Sequence, residues 1–358
     1  MKIGIMSMYR IANYGSFLQA YALKNIIKSL GHKVKFVDYR IDPPLVHDDR
    51  MMKNVHEGNL KFFLRYTLKK LLKKPMYFSD SYRMSLLRLG ITETMHYNTK
   101  VDTLVVGSDE VFNCLQANPD VGYSLELFGK NSNASRLITY AASFGSTTND
   151  GLLDAGKYEE IKNHLLKFDA LSMRDANSVN IAQEMGLLNV SMNLDPVLVY
   201  DFSDKIREKK DISDYIIVYS YAGRMKDEKE INAVREFARK HNKKIVTVGY
   251  HQEWSDIKLE ANPFELLGYV KNADFVVTDT FHGTIFSVIT KRRFATILRE
   301  SNKQKLGHLL EKLELSDRIV NDVSRLSEIL LTDIDYTKVN SVIETEKAKT
   351  VNYLKEKI

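Results

Sequence analysis

The chain of 358 residues is long enough for two domains, each with a core of its own. At 44% apolar and 27% charged it has a globular composition, and its six prolines and 17 glycines exclude a collagen-like or linker-like chain. Lys and Arg number 52 against 46 Asp and Glu, a surplus of +6 that permits an anionic substrate or surface without marking a nucleic-acid protein.

Residues 3–6 form an apolar run of strand length, followed by a loop over 7–14. Phe17, Ala20, Leu23, Ile26, Ile27 and Leu30 recur at helical spacing over 16–30, and Gly31 stops the helix. Residues 34–39 are the next strand. Residues 41–100 carry few strand signals and many basic residues, an insertion placed at about 45–100. Strands are expected again at 103–106, 137–142 and 170–173, with a helix over 178–185 closed by Gly186. A charged stretch, 201–214, marks the domain boundary. Beyond it come a strand at 215–219, a helix over 226–240 and a strand at 245–248. Asn262, Pro263 and Glu265 then sit as cap, first and third residues of a helix start. A strand at 275–278, a helix over 283–289 and a strand at 294–298 follow, and 337–357 is a long helical pattern.

Strands alternating with helices predict parallel sheets covered on both faces. Two such halves predict two Rossmann-like domains facing across a cleft, residues 1–200 and 201–336. Residues 337–358 form a terminal helix able to cross back to the first domain. In open sheets of this kind ligands sit at the carboxyl ends of the strands.

Four loops at those ends hold more polar residues than a connection needs. Asn13, Tyr14, Gly15 and Ser16 join the first strand to its helix; Gly15 permits close backbone approach and a helix start favours an anion, though a plain cap and turn accounts for the same residues. The loop is neither a dinucleotide fingerprint nor a Walker A loop. Ser108, Asp109 and Glu110 follow the strand at 103–106, where a carboxylate can act as a base or hold a sugar hydroxyl, or simply cap a helix. Arg174 ends the strand at 170–173, placed to hold a carboxylate or phosphate or to pair with a neighbouring acid such as Asp175. Thr280, Phe281, His282 and Gly283 follow the strand at 275–278. A histidine there is well placed to transfer protons, the alternative being a capping or core histidine.

The one cysteine, Cys114, leaves no intramolecular disulfide and no cysteine cage for zinc. The nine histidines are scattered and no known metal motif occurs, so no metal is expected. The chain opens on a short apolar run rather than a secretory signal, and no window approaches 18 uninterrupted apolar residues, so a cytoplasmic protein is expected. Within the insertion, Lys61, Arg65, Lys69 and Lys73 form one helical stripe beside Leu60, Leu64, Leu68, Leu71 and Leu72. This 60–74 helix is either a cover packed on the first domain or a contact for anionic membrane, which would place the protein at the inner face. Nucleic acid is not expected.

Six segments in order carry a resemblance: Asn-Tyr-Gly-Ser-Phe-Leu-Gln-Ala-Tyr-Ala-Leu (13–23), Val-Gly-Ser-Asp-Glu-Val-Phe-Asn (106–113), Tyr-Ala-Ala-Ser-Phe-Gly (140–145), Ser-Met-Arg-Asp (172–175), Leu-Asp-Pro-Val (194–197) and Thr-Asp-Thr-Phe-His-Gly-Thr (278–284). Together they resemble the polysaccharide pyruvyl transferase family. The resemblance implies a GT-B-like α/β fold and transfer of the enolpyruvyl carbons of phosphoenolpyruvate onto two hydroxyls of a sugar. The products are a pyruvate ketal, in a cell-surface polysaccharide precursor such as capsule or exopolysaccharide, and phosphate. It implies no cofactor beyond phosphoenolpyruvate as donor substrate. The sugar acceptor is either free or lipid-linked.

Under that resemblance His282 is the general acid and Asp109 binds or deprotonates the acceptor hydroxyl. Arg174, Thr280, Phe281 and Gly283 face the donor. Asn13, Tyr14, Gly15, Ser16, Ser108 and Glu110 face the acceptor. One departure stands out: many members carry arginine where this chain has Thr280, which offers a hydroxyl and no charge. Arg292, Arg293, Arg299 and Lys303 are the candidate substitutes, and Phe112 stands where the family often has tryptophan. A GT-B glycosyltransferase using a nucleotide sugar and a non-catalytic carbohydrate-binding protein are the alternative functions.

Overall fold

A computed structural model describes residues 1–46, 79–209 and 211–358. The expected 60–74 helix lies outside the described residues. Six strands form the first sheet: β1 (Lys2–Met6), β2 (Lys33–Phe36), β3 (Thr103–Asp109), β4 (Arg136–Ala142), β5 (Leu171–Met173) and β6 (Val190–Met192). The second sheet holds β7 (Tyr215–Tyr219), β8 (Lys244–Val248), β9 (Ile257–Leu259), β10 (Phe275–Thr278), β11 (Arg293–Ile297) and β12 (Ile319–Val320). Their orders are β2-β1-β3-β4-β5-β6 and β12-β11-β10-β7-β8-β9, and every paired neighbour is parallel. This is the α/β architecture of two doubly wound domains expected from the sequence.

The central strands are apolar runs because both faces of a parallel sheet are covered. All residues of β3, β7 and β10 are buried. Helix ends follow their caps. Asn13 Oδ1 accepts the amides of Gly15 (2.8 Å) and Ser16 (3.3 Å) at the start of helix Tyr14–Ser29. Asn262 and Glu265 form the reciprocal capping box, with Pro263 in the first turn. The helix expected over 178–185 starts earlier, at Ala176, because Asp175 caps it. The one expected over 283–289 spans Phe281–Ile289, because Thr280 is its cap, so His282 lies inside its first turn.

Within the basic insertion the helix Asp80–Leu89 supports the first domain. Its buried Tyr82 hydroxyl donates to Asn13 O (2.9 Å) and accepts from Asn13 N (3.2 Å), holding the loop after β1. Arg10 pairs with Asp38 and donates to the carbonyls of Thr92 and Thr94, tying the chain that follows to the same loop. Among the described residues no helix is long and apolar enough to cross a membrane.

One hydrophobic cluster runs through both domains, joining Ile5, Phe17 and Leu198 to Tyr215, Phe286 and Leu354. The helix Tyr336–Lys357 crosses it. Near its start Tyr336 donates to Arg292 O in the second domain; near its end Tyr353 donates to Thr139 O (2.8 Å) and Thr350 meets Tyr140 Oη (3.0 Å) in the first. Leu354 is fully buried on that seam, whereas Leu188 is 83% exposed. Leu354→Ala should therefore cost about 2–5 kcal/mol in urea unfolding, and Leu188→Ala less than about 0.5 kcal/mol. Equal effects would contradict the packing of the terminal helix.

Candidate active site

In each sheet the chain winds outward one way and returns to continue the other way, which leaves a crevice at the reversal. The reversals lie between β1 and β3 and between β7 and β10. Loops at the carboxyl ends of both sheets meet across the domain boundary, those after β7, β8 and β9 reaching the loop and helix start after β1. Tyr250 donates to Ala12 O (3.2 Å), Asn13 Nδ2 to Tyr221 Oη (3.3 Å), and Tyr14 to Ala261 O (2.9 Å).

Gly15 faces His282 directly. A Cβ built on Gly15 would lie 2.1 Å from His282 Nδ1, and one on Gly249 2.3 Å from the Tyr14 ring. The two domains thus touch where glycine leaves the backbone bare.

Beneath that contact a line of buried polar groups connects the loops. Ser16 Oγ donates to Asp109 Oδ2 at 2.8 Å. Asp109 Oδ1 lies 3.6 Å from Arg174 Nη1, which pairs with Asp195 Oδ2 at 2.9 Å. The same Asp195 oxygen lies 3.5 Å from His282 Nε2. Asp109 itself has φ +92°, a conformation that side chains seldom adopt and that costs about 1–3 kcal/mol, a strain typical of sites where geometry serves function.

Charge fixes this line. Burial works against ionisation of Asp195, yet contact with His282, the Arg174 guanidinium and the Val197 amide together hold its carboxyl down to about 2. Arg174 is buried too, and Asp195, Asp109 and Glu110 more than offset the desolvation of its cation. Its guanidinium stacks on the Phe281 ring, 4.4 Å from the centroid. Its Nε has no hydrogen-bond partner, an unused donor in a buried place.

Lys305, from helix Lys303–Lys312 of the second domain, reaches over the same ring at 6.0 Å and pairs with Glu110 of the first. Burial raises the Glu110 carboxyl, but Lys305 first, then Arg174, and hydrogen bonds from Lys305 and Asn113 lower it to about 2. Two cations from different domains therefore lie near one aromatic ring.

The other expected site residues have local partners. Thr280 Oγ1 accepts the Gly283 amide (2.9 Å), and a Cβ on Gly283 would strike Thr278 and Thr280, so these two close the helix end rather than open toward the cleft. Ser108 is fully buried, with its hydroxyl donated to Ala141 O (3.0 Å). Asp175 caps its helix and takes the Ser143 hydroxyl, so the acids paired with Arg174 are Asp195 and Asp109 instead.

Among the offered substitutes for the arginine, Arg293 pairs with Asp333, Arg292 donates to Thr290 O, and Lys303 lies 3.9 Å from Glu300. Arg299 grips Glu230 with both terminal nitrogens (2.7 Å each) and Asp279 with Nε (2.9 Å), bracing the loop just before Thr280. Arg224 lies 3.6 Å from Asp279 on the same brace. Phe112 is core, stacked on Phe128 at 4.5 Å. Among the described residues no three His, Cys, Asp or Glu side chains group as a metal site would need.

Sequence reasoning passed over Asp195, Lys305, Tyr221 and Arg224. Asp195 was quoted only as part of Leu-Asp-Pro-Val; its proline in the first turn marks it as a cap, which Val197 confirms, and that hides its second oxygen. Lys305 sits among Lys303, Gln304 and His308 and reads as a solvent face.

Two outcomes test this geometry. Gly15→Ala should displace the His282 ring or part the domains, seen as a shift of the His282 ring signals in an NMR spectrum; an unmoved signal would contradict the contact. Glu110 ionises more easily folded than unfolded, where a glutamate titrates at about 4.3, so its share of stability is present above about pH 4.3 and fades as pH falls through about 2. The stability gap between wild type and Glu110→Gln should accordingly narrow from pH 5 to pH 2, and a gap independent of pH would sink the pairing.

A search of curated proteins finds no match to the chain. Among solved structures, a kitacinnamycin glycosyltransferase is similar at TM-score 0.49 and 9% identity, covering 100% of this chain and 99% of that one. A putative UDP-N-acetylglucosamine 2-epimerase from Listeria monocytogenes gives 0.45 and 10%, covering 98% of each chain. A UDP-GlcNAc 2-epimerase from Methanocaldococcus jannaschii gives 0.46 and 12%, covering 96% and 99%. The family model for polysaccharide pyruvyl transferase matches residues 13–301, from the Gly15 loop past the His282 helix. The chain belongs to the polysaccharide pyruvyl transferase family.

Proposed function

We propose that this chain transfers the enolpyruvyl carbons of phosphoenolpyruvate onto two hydroxyls of one sugar, forming a cyclic pyruvate ketal and releasing phosphate. The observation that carries this reading is the seating of His282 at a helix start, against the first-domain loop, with the buried Arg174 and half-buried Lys305 over the ring of the neighbouring Phe281. A donor with a carboxylate and a phosphate needs such cations, and enol-ether chemistry needs one positioned acid.

The reaction has defined demands. The methylene carbon of the donor gains a proton and becomes the ketal methyl, while a sugar oxygen bonds the neighbouring carbon. The second sugar oxygen then replaces phosphate at that carbon. The sugar loses two protons: one restores the proton spent on the methylene, and the other leaves on phosphate. No electron changes hands, so the chemistry calls for neither a redox cofactor nor an oxidant.

His282 supplies the proton to the methylene. Arg174 and Lys305 take the donor anions, with Lys305 standing in for the arginine absent at position 280. Asp109, hydrogen-bonded to Ser16, receives an acceptor hydroxyl from the first-domain side. The acceptor is a sugar of a cell-surface polysaccharide precursor.

Thermal unfolding with phosphoenolpyruvate, and in parallel with UDP, tests the donor. At about 100 times its dissociation constant a ligand adds about 2.7 kcal/mol, so phosphoenolpyruvate alone should raise the melting temperature visibly. His282→Gln should keep that shift yet release no phosphate with an acceptor that wild type uses. Stabilisation by UDP alone would replace this reading with a nucleotide-sugar transferase, and phosphate release by the variant would remove His282 from the chemistry.

A further inference from the structure

Asp195 neutralises Arg174, but its second contact is with His282. We infer that Asp195 is the positioning residue of His282: it keeps the imidazole proton on Nε2 and so makes Nδ1 the atom that exchanges a proton with substrate. The inference rests on His282 being the acid of the proposed transfer.

The carboxylate has little freedom. Its Oδ1 accepts the Val197 amide at 3.0 Å, and its Oδ2 accepts from Arg174 Nη1 at 2.9 Å. Asp195 is buried, at the start of the short helix Pro196–Val199, which packs against helices Tyr14–Ser29, Phe281–Ile289 and Tyr336–Lys357. It is therefore held by its backbone, its cap and its ion pair before His282 is considered.

An ionised carboxylate is only an acceptor. Facing a ring nitrogen at 3.5 Å in a buried place, it favours an N–H there and opposes a lone pair. Neutral imidazole has one N–H, so a proton fixed on Nε2 leaves the lone pair on Nδ1. The 3.5 Å separation exceeds that of a formed hydrogen bond, and contacts of this kind commonly tighten when substrate binds.

The other side of the ring agrees. Nδ1 faces Gly15 across the seam between the domains, where the missing side chain leaves only backbone against the ring. A substrate entering that seam meets Nδ1. In the first step the imidazolium gives its Nδ1 proton to the donor methylene as the first sugar oxygen bonds the adjacent carbon. The ring is left neutral, still carrying Nε2–H against Asp195. The tautomer present after the step is thus the one the carboxylate stabilises, and no rotation of the ring is needed to reset it.

The test begins with the full-length wild type, labelled with ¹⁵N and recorded with the imidazole neutral. Long-range ¹H–¹⁵N spectra distinguish the tautomers, and the spectrum of His282→Gln identifies the signal. The Nε2–H form is expected; an Nδ1–H form, or an equal mixture, would overturn the inference without any variant of Asp195. In Asp195→Asn the signal should move toward the other tautomer, and kcat for phosphate release should fall about 100-fold or more. An unchanged kcat would overturn the role. A wild type with Nε2–H that neither binds phosphoenolpyruvate nor releases phosphate would uphold the tautomer and remove the pyruvyl-transfer reading.

Discussion

The pair Arg174–Asp195 is the interaction on which the site depends. Both groups are buried, and taking two charges out of water is costly unless the pairing and the remaining hydrogen bonds are good. Here the carboxylate has three partners and the guanidinium has two acids and an aromatic face. Removing one partner of such a pair typically costs about 3–5 kcal/mol, because the other charge is stranded. The pair joins the end of β5 to the segment that leaves the first domain, and the second domain's helix start docks on it. Position of the domains and position of the chemistry are consequently set by the same few atoms.

The departure at position 280 takes on a physical meaning in this setting. A threonine caps the helix that carries His282, a role an arginine side chain does not fill in the same way. On the reading proposed above, the donor's cation is Lys305, which lies on a different helix and pairs with Glu110 of the opposite domain. A cation delivered from Lys303–Lys312 moves with the second domain, while its carboxylate partner Glu110 moves with the first. Charge at this point therefore reports on how the domains are set, which a cation beside His282 would not do.

Much of this was legible in the sequence. The central strands stand out because burial on both faces makes them continuous apolar runs, as in Tyr215–Tyr219 and Phe275–Thr278. The Asn262 start was legible because a capping box is written in local residues. The edge strands Val190–Met192, Ile257–Leu259 and Ile319–Val320 escaped notice: they are two or three residues long and partly exposed, so no pattern distinguishes them. Site residues divide the same way. His282, Asp109 and Arg174 follow central strands, where position alone draws attention. Asp195 and Lys305 matter through partners 87 and 195 residues away, and no local spacing encodes a contact of that range.

The helix Tyr336–Lys357 has a mechanical consequence. Its first turn is bonded to the second domain and its last turns to the first, while a shared hydrophobic cluster lies beneath. The domains are joined twice, once through residues 201–214 and once through this strut. A proteolytic nick in the first connection would leave two fragments still clasped together. Attachments at opposite ends of one helix likewise favour a single register of the facing loops.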